Sequence, residues 1–222
     1  MRSPPSKPTK LTRRLESNQE RALQPEAVRI GQISWAWNNL HSCFFFLFYA
    51  LSKAEDESAL RIAHAIWHSF QSDRAQRDMV LAVAEQLFKP KSRMFGRIKW
   101  AKDCADKLSP HRTDAAHTPI IFVHNDNGSI FLAPDVMTSK RVTLERWVEG
   151  SFRRPWPALK GDLLILAKYV AALAANVIKP DGAPFPHRPR LLTIPATQRR
   201  ARKGSRPRAK AKPSRRPPPS PE

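Results

Sequence analysis

The sequence predicts a mainly α-helical protein: a bundle of about five or six helices with a small β-hairpin insertion and disordered basic tails. Three observations predict it. Apolar residues recur at alternating spacings of three and four along several stretches, which places them on one face of a helix. One pair of short apolar runs is separated by Asn-Asp-Asn-Gly, a hairpin signature. Beyond Lys179 proline and basic residues take over, and such a composition cannot offset the entropy of ordering. The expected organisation is a mostly disordered segment 1–24, a helical domain 25–178 with its hairpin near 119–133, and a disordered Pro/Arg/Lys-rich tail 179–222.

Residues 1–24 are polar and proline-containing, with weak helical character from Leu15 to Leu23. After Pro25 comes the strongest signal. Ile30, Ile33, Trp37, Leu40, Phe44, Leu47 and Leu51 form one helical stripe, while Phe45, Phe46 and Phe48 fall off it. A helix apolar on more than one side sits centrally in a bundle or in a dimer interface. Glu55 to Phe70 reads as a second helix with Leu60, Ala63, Ile66, Trp67 and Phe70 inward. Asp73 reads as the N-cap of a third, with Gln76 completing a capping box and Val80, Val83, Ala84 and Leu87 as its buried face. The fourth helix runs from Phe95 to Leu108, with Phe95, Ile98, Ala101 or Lys102, Ala105 and Leu108 along one side. Ser109-Pro110 then signals a separate short helix ending at His117. The hairpin pairs 120–123 with 130–132, Trp147 lies in a short helical or irregular stretch, and a final helix spans Pro157 to Ile178. Leu163, Leu166, Val170, Leu173 and Val177 line its buried face, and Trp35, Trp37, Trp67 and Trp100 are assigned to the core.

Charge is unevenly placed. The chain of 222 residues has a net charge of +20. Five basic and no acidic residues fall in 1–14, and twelve basic and two acidic in 181–222, so most of the excess belongs to the tails. Two cysteines, Cys43 and Cys104, make no disulfide framework and suit free thiols in a reducing cytoplasm. The first residues lack the apolar core of a secretory signal. The run Cys43–Leu51 is too short to span a bilayer, and Leu163–Ile178 contains Lys168 and Asn176, so both read as buried helix and no membrane association is expected.

No phosphate loop, dinucleotide fingerprint, nucleophile elbow or metal motif occurs, and neither a cofactor nor a metal is expected. His64 and His68, four apart, have metal-binding spacing but no evident third ligand and are read as surface packing. The constellation that carries chemistry is Arg112-Thr113-Asp114-Ala-Ala-His117. Histidine can move a proton near neutral pH, and a guanidinium can meet two oxygens of a phosphate. Five residues along a regular helix turn through about 500°, which leaves the two side chains about 140° apart, so a distorted helix end or a second protomer would bring them together. A helix beginning at Pro110 would add free N–H groups favourable to an anion.

This arrangement resembles the HEPN superfamily, helical domains carrying an Arg-x4-6-His motif. The resemblance implies a metal-independent endoribonuclease or a non-catalytic RNA-binding relative, often dimeric, with Arg112 and His117 as the catalytic pair. It departs at Thr113, where Asn is common, while Asp114 keeps a polar residue in the motif. Thr113, Asp114, Arg74 and Arg77 are the supporting residues, the last two from the polar cluster Ser72–Asp78. A structural alternative stands beside it: Arg112 and Asp114 as an ion pair, with His117 the hydrogen-bonded tip of a helix end. For the tail, Arg199, Arg200, Arg202, Lys203, Arg206, Arg208, Lys210 and Lys212 are expected to neutralise nucleic-acid phosphates without reading sequence, RNA being favoured. Two functions thus stand open: a HEPN-like domain that binds and cleaves RNA, or a non-enzymatic helical interaction protein with a nucleic-acid-binding tail.

Overall fold

The stripe from Ile33 to Leu51 decides the architecture, because a helix with that much apolar surface must be covered by several neighbours. The computed structural model describes residues 10–53, 56–118, 120–125, 129–135, 156–179 and 184–194. Among them are α1 (Lys10–Leu51), α2 (Glu57–Ser69), α3 (Asp73–Leu87), α4 (Arg93–His117), β1 (Ile120–His124), β2 (Ile130–Pro134) and α5 (Trp156–Ile178). The fold is mainly α with one two-stranded antiparallel hairpin, as the sequence predicts. Helix α1 is the centre: it packs most extensively on α5 and also meets α2, α3, α4 and β2.

Ile33, Trp37, Leu40, Phe44, Leu47 and Leu51 are all buried, and so is Phe48 from the off-stripe set; Phe45 is half-buried and Phe46 exposed. Leu159, Leu163, Leu166, Val170 and Leu173 of α5 are fully buried in the same core. By length and composition α5 is apolar enough to cross a membrane, yet half of its most apolar window is buried inside the protein. The α4 face of Phe95, Ile98, Ala101, Ala105 and Leu108 is buried as expected.

Several local expectations are corrected. Helix α1 begins at Lys10 and passes through Pro25, so 10–24 is helical rather than disordered. Its amino-terminal half lies along the hairpin, with Asn18, Arg21 and Ala22 facing Ser129 and Ile130 across a cleft, and this long-range support is invisible to local composition. Helix α4 runs unbroken to His117 with Pro110 inside it, so the separate short helix and its anion-favouring N-terminus do not exist. Proline there removes one helical hydrogen bond, but Leu108 and Ala115 on either side are buried and hold the helix to the core. The N-cap of α3 is Ser72, whose hydroxyl accepts from Ala75 N, and Gln76 donates to the Trp67 carbonyl instead of closing a capping box. On α2 only Ala63 and Trp67 are buried; Leu60, Ile66 and Phe70 are exposed, because this short helix touches α1 along one narrow edge. Trp35 is exposed too, as is Leu87.

The largest correction concerns the carboxy-terminal side of α5. Residues 184–194 form an irregular strap against α4 and α5, not a disordered tail. Leu191 is buried and Phe185 and Ile194 pack on the core. Fully buried Asp162 accepts from Leu192 N at 2.9 Å and Thr193 N at 2.6 Å. Arg97 donates to the Pro186 carbonyl and Arg188 to the Gly96 carbonyl. The expectations for 1–9, Trp147 and residues 195–222 lie outside the described residues.

Replacing Phe44, fully buried, by Ala should cost about 3–5 kcal/mol in urea unfolding, whereas Phe46→Ala, at a position 57% exposed, should change stability by no more than about 0.5 kcal/mol.

Candidate functional site

Three buried stripes bring polar groups to one level of the bundle. On α4 the sequence Ala101, Ala105, Leu108, Arg112, Ala115 keeps helical spacing, so Arg112 occupies a core-facing position. On α3 Arg77 lies between Asp73 and Val80, and on α1 His41 lies one turn after Trp37. The result is a layer of Trp37, His41, Asp73, Arg77, Asp106 and Arg112 where α1, α3 and α4 meet.

Arg77 is its anchor, with only 1% of its surface exposed. Its Nε and Nη2 both donate to Asp106 Oδ1, at 3.0 and 2.8 Å, and its guanidinium lies over the Trp37 ring. Lys102 bridges Asp106 and Asp78. Burial pushes the Asp106 carboxyl up, but Lys102 and Arg77 outweigh it and hold it below the usual range. Trp37 Nε1 donates to Asp73 Oδ2 at 2.6 Å.

The third guanidinium nitrogen fixes the state of His41. Arg77 Nη1 lies 2.9 Å from His41 Nε2. A guanidinium can only donate, so Nε2 accepts and the proton of the neutral ring sits on Nδ1. That Nδ1 is buried without a hydrogen-bond partner. Burial is the main reason His41 titrates at about 4; the charges of Arg77 and Arg112 act in the same direction, and Asp73 and the Gln76 side chain oppose them.

Arg112 differs from Arg77. It is half-buried, 5.9 Å from the Trp37 ring centroid, and its Nε is buried without a hydrogen-bond partner. Among the described residues no carboxylate pairs with it, so the expected structural alternative of an Arg112–Asp114 ion pair is absent; Asp114 is buried and engaged elsewhere. Two N–H donors, His41 Nδ1 and Arg112 Nε, thus end in one layer without a protein acceptor, and each such group costs about 1–3 kcal/mol.

The motif histidine is not part of this layer. His117 lies two residues past Ala115 in the last turn of α4 and is exposed, while Thr113 is half-buried. Arg74 is exposed and, among the described residues, its ion pair is with Asp78 at 3.9 Å. The structure therefore joins Arg77 and Arg112 and leaves Arg74 and His117 outside. Sequence reasoning missed His41, Asp73 and Asp106 as site residues; the available signal was His41, one turn after Trp37 beside the apolar stripe of α1. His64 and His68 meet with ring centroids 4.2 Å apart and planes tilted by 52°, and no group of three metal-ligating side chains occurs among the described residues. Cys43 and Cys104 are free thiols.

No protein-family model, curated protein or solved structure matches the chain.

His41 gives a pH signature. Its folded pKa of about 4 lies below the ordinary 6.5, so the unfolded chain takes up a proton that the folded one refuses. The stabilisation is full above pH 6.5 and is lost as pH falls through about 4, to an extent on the order of 3 kcal/mol. Unfolding curves across this window should show the slope in the parent chain and lose it in His41→Gln.

Proposed function

We propose that this helical domain binds RNA and cleaves it by a HEPN-like, metal-independent reaction, with Arg112 holding the scissile phosphate and His117 moving the proton. The observation that carries the reading is Arg112 itself: a guanidinium without a carboxylate partner among the described residues, beside a second unmatched donor on His41. A phosphate would give the half-buried Arg112 guanidinium the anionic partner that no described carboxylate supplies, in a partly desolvated setting where charge-assisted bonds are strong.

In this reaction the 2′-hydroxyl oxygen attacks phosphorus while His117 accepts its proton. The O2′–P bond forms and the P–O5′ bond breaks. The same imidazolium returns the proton to the departing O5′, leaving a 2′,3′-cyclic phosphate and a 5′-hydroxyl. DNA, lacking the attacking hydroxyl, is bound but not cut.

A regular helix directs Arg112 and His117 about 140° apart, so the working pair is composite: Arg112 of one copy and His117 of a second. The basic residues 199–212 add sequence-independent affinity. The free thiols suit a cytoplasmic setting.

Arg112→Ala and His117→Ala should each abolish formation of cyclic-phosphate ends, with EDTA leaving the parent activity intact. Mixing the two inactive variants should restore roughly a quarter of the parent rate, since random pairing gives half heterodimers with one intact site each. No restoration would remove the composite site. RNA uncut by the parent chain would leave the rival reading, a non-enzymatic interaction protein with a nucleic-acid-binding tail.

A further inference from the structure

The first turns of α4 and the strap are far apart in sequence, and the fold lays one on the other. From Gln86 to Lys102 there is no acidic residue, while Lys89, Lys91, Arg93, Arg97, Lys99 and Lys102 are all basic. Residues 184–194 also lack any acid and contain His187, Arg188 and Arg190. Phe185 clamps them together: the Arg93 and Arg97 guanidiniums lie over its ring at 4.8 and 5.1 Å. Arg188 bonds the Gly96 carbonyl at 2.8 Å and lies over Trp100. Lys89, Lys91, Arg93, His187, Arg188 and Arg190 stay exposed, and none of them forms an ion pair among the described residues.

This concentration works against the fold. The first turn of α4 holds no acidic residue and begins with Arg93, although the positive end of a helix favours carboxylates. Like charges gathered there repel one another. In sequence, the basic clusters of 199–212 follow the strap.

We propose that Lys89, Lys91, Arg93, Arg188 and Arg190 form a second nucleic-acid surface, a backbone track that receives single-stranded RNA phosphates on the folded domain. The cations neutralise successive phosphates, and the aromatic–guanidinium stacks on Phe185 and Trp100 hold the arginines in place. The track takes its occupant from the RNA reading above, but uses neither Arg112 nor His117.

The test uses the full chain and a fluorescein-labelled single-stranded RNA 20-mer with 2′-O-methyl groups, which cannot be cut through its own hydroxyl. Anisotropy is followed as NaCl is varied. Lys89→Glu, Lys91→Glu, Arg93→Glu and Arg190→Glu together should weaken binding at least tenfold and flatten the slope of log K against log salt by about 3, at roughly 0.7 per lost phosphate contact. Arg97 and Arg188 are left in place to keep the strap seated, and the melting temperature of the variant should stay close to that of the parent, since Glu at position 93 suits the first turn of α4 and offsets the lost contact with Phe185. A second variant with the eight tail cations changed to Gln should keep salt-dependent binding, which the quadruple change then removes. The track is overturned if the quadruple variant binds like the parent, if the tail variant alone loses all binding, or if vesicles rich in phosphatidylserine bind the face and the RNA does not. Failure of cleavage with this pattern intact would sink the catalytic reading and leave the track standing.

Discussion

A guanidinium taken almost wholly out of water must keep its partners, and Arg77 sets that constraint here. Losing one partner of such a group leaves an uncompensated charge, at a cost of about 3–5 kcal/mol. Arg77 needs Asp106 from α4, a neutral His41 from α1 and the face of Trp37 at once. Those demands fix the rotation of three helices about their own axes more tightly than apolar packing does, since an apolar stripe tolerates small slips and a two-bond contact to one carboxylate oxygen does not. The same rotation carries Arg112 to the inner side of α4 and His117 to the outer side. The separation of the motif pair is therefore a consequence of the core and not of a loosely placed helix end.

How much of this was legible depends on range. The stripes of α1, the first half of α4 and α5 repeat for several turns, and their burial follows directly from sequence. The hairpin was legible from two apolar runs around an Asn-Gly turn, and its register places Phe122 opposite Leu132. What failed was punctuation. Pro25 and Pro110 read as helix starts, but each loses only one hydrogen bond inside a long helix whose flanking turns are held by distant segments, the hairpin in one case and the core in the other. Local propensity yields to tertiary support at such points.

The strap shows the converse error. Proline-rich composition argued for disorder, yet proline also removes backbone N–H groups, so Pro184, Pro186 and Pro189 ask for fewer partners when the chain lies against a surface. The two N–H groups after Leu191 are met by one buried carboxylate, Asp162, on a helix otherwise apolar enough to suggest a membrane. A fully buried acidic residue on such a helix is costly unless it is hydrogen-bonded. Asp162 in the α5 sequence was thus the available sign that something polar must dock there.

The described cations divide by compensation. Arg77 and Lys102 have carboxylates at hydrogen-bonding distance and serve the fold. Arg112 and the exposed residues around the start of α4 have none among the described residues, and part of their cost is borne as unmet donors or like-charge repulsion. Stability alone favours acids at the start of α4 and an apolar or paired side chain at the level of Arg112. At both places the chain departs from its own stabilising logic, and both departures have the same sign. In the proposed reading a single kind of ligand, a polyanion, would relieve both: one phosphate meeting Arg112 and a run of phosphates along the strap. Hence the proposed chemistry and the proposed track name one partner, although each rests on different residues and fails by a different experiment.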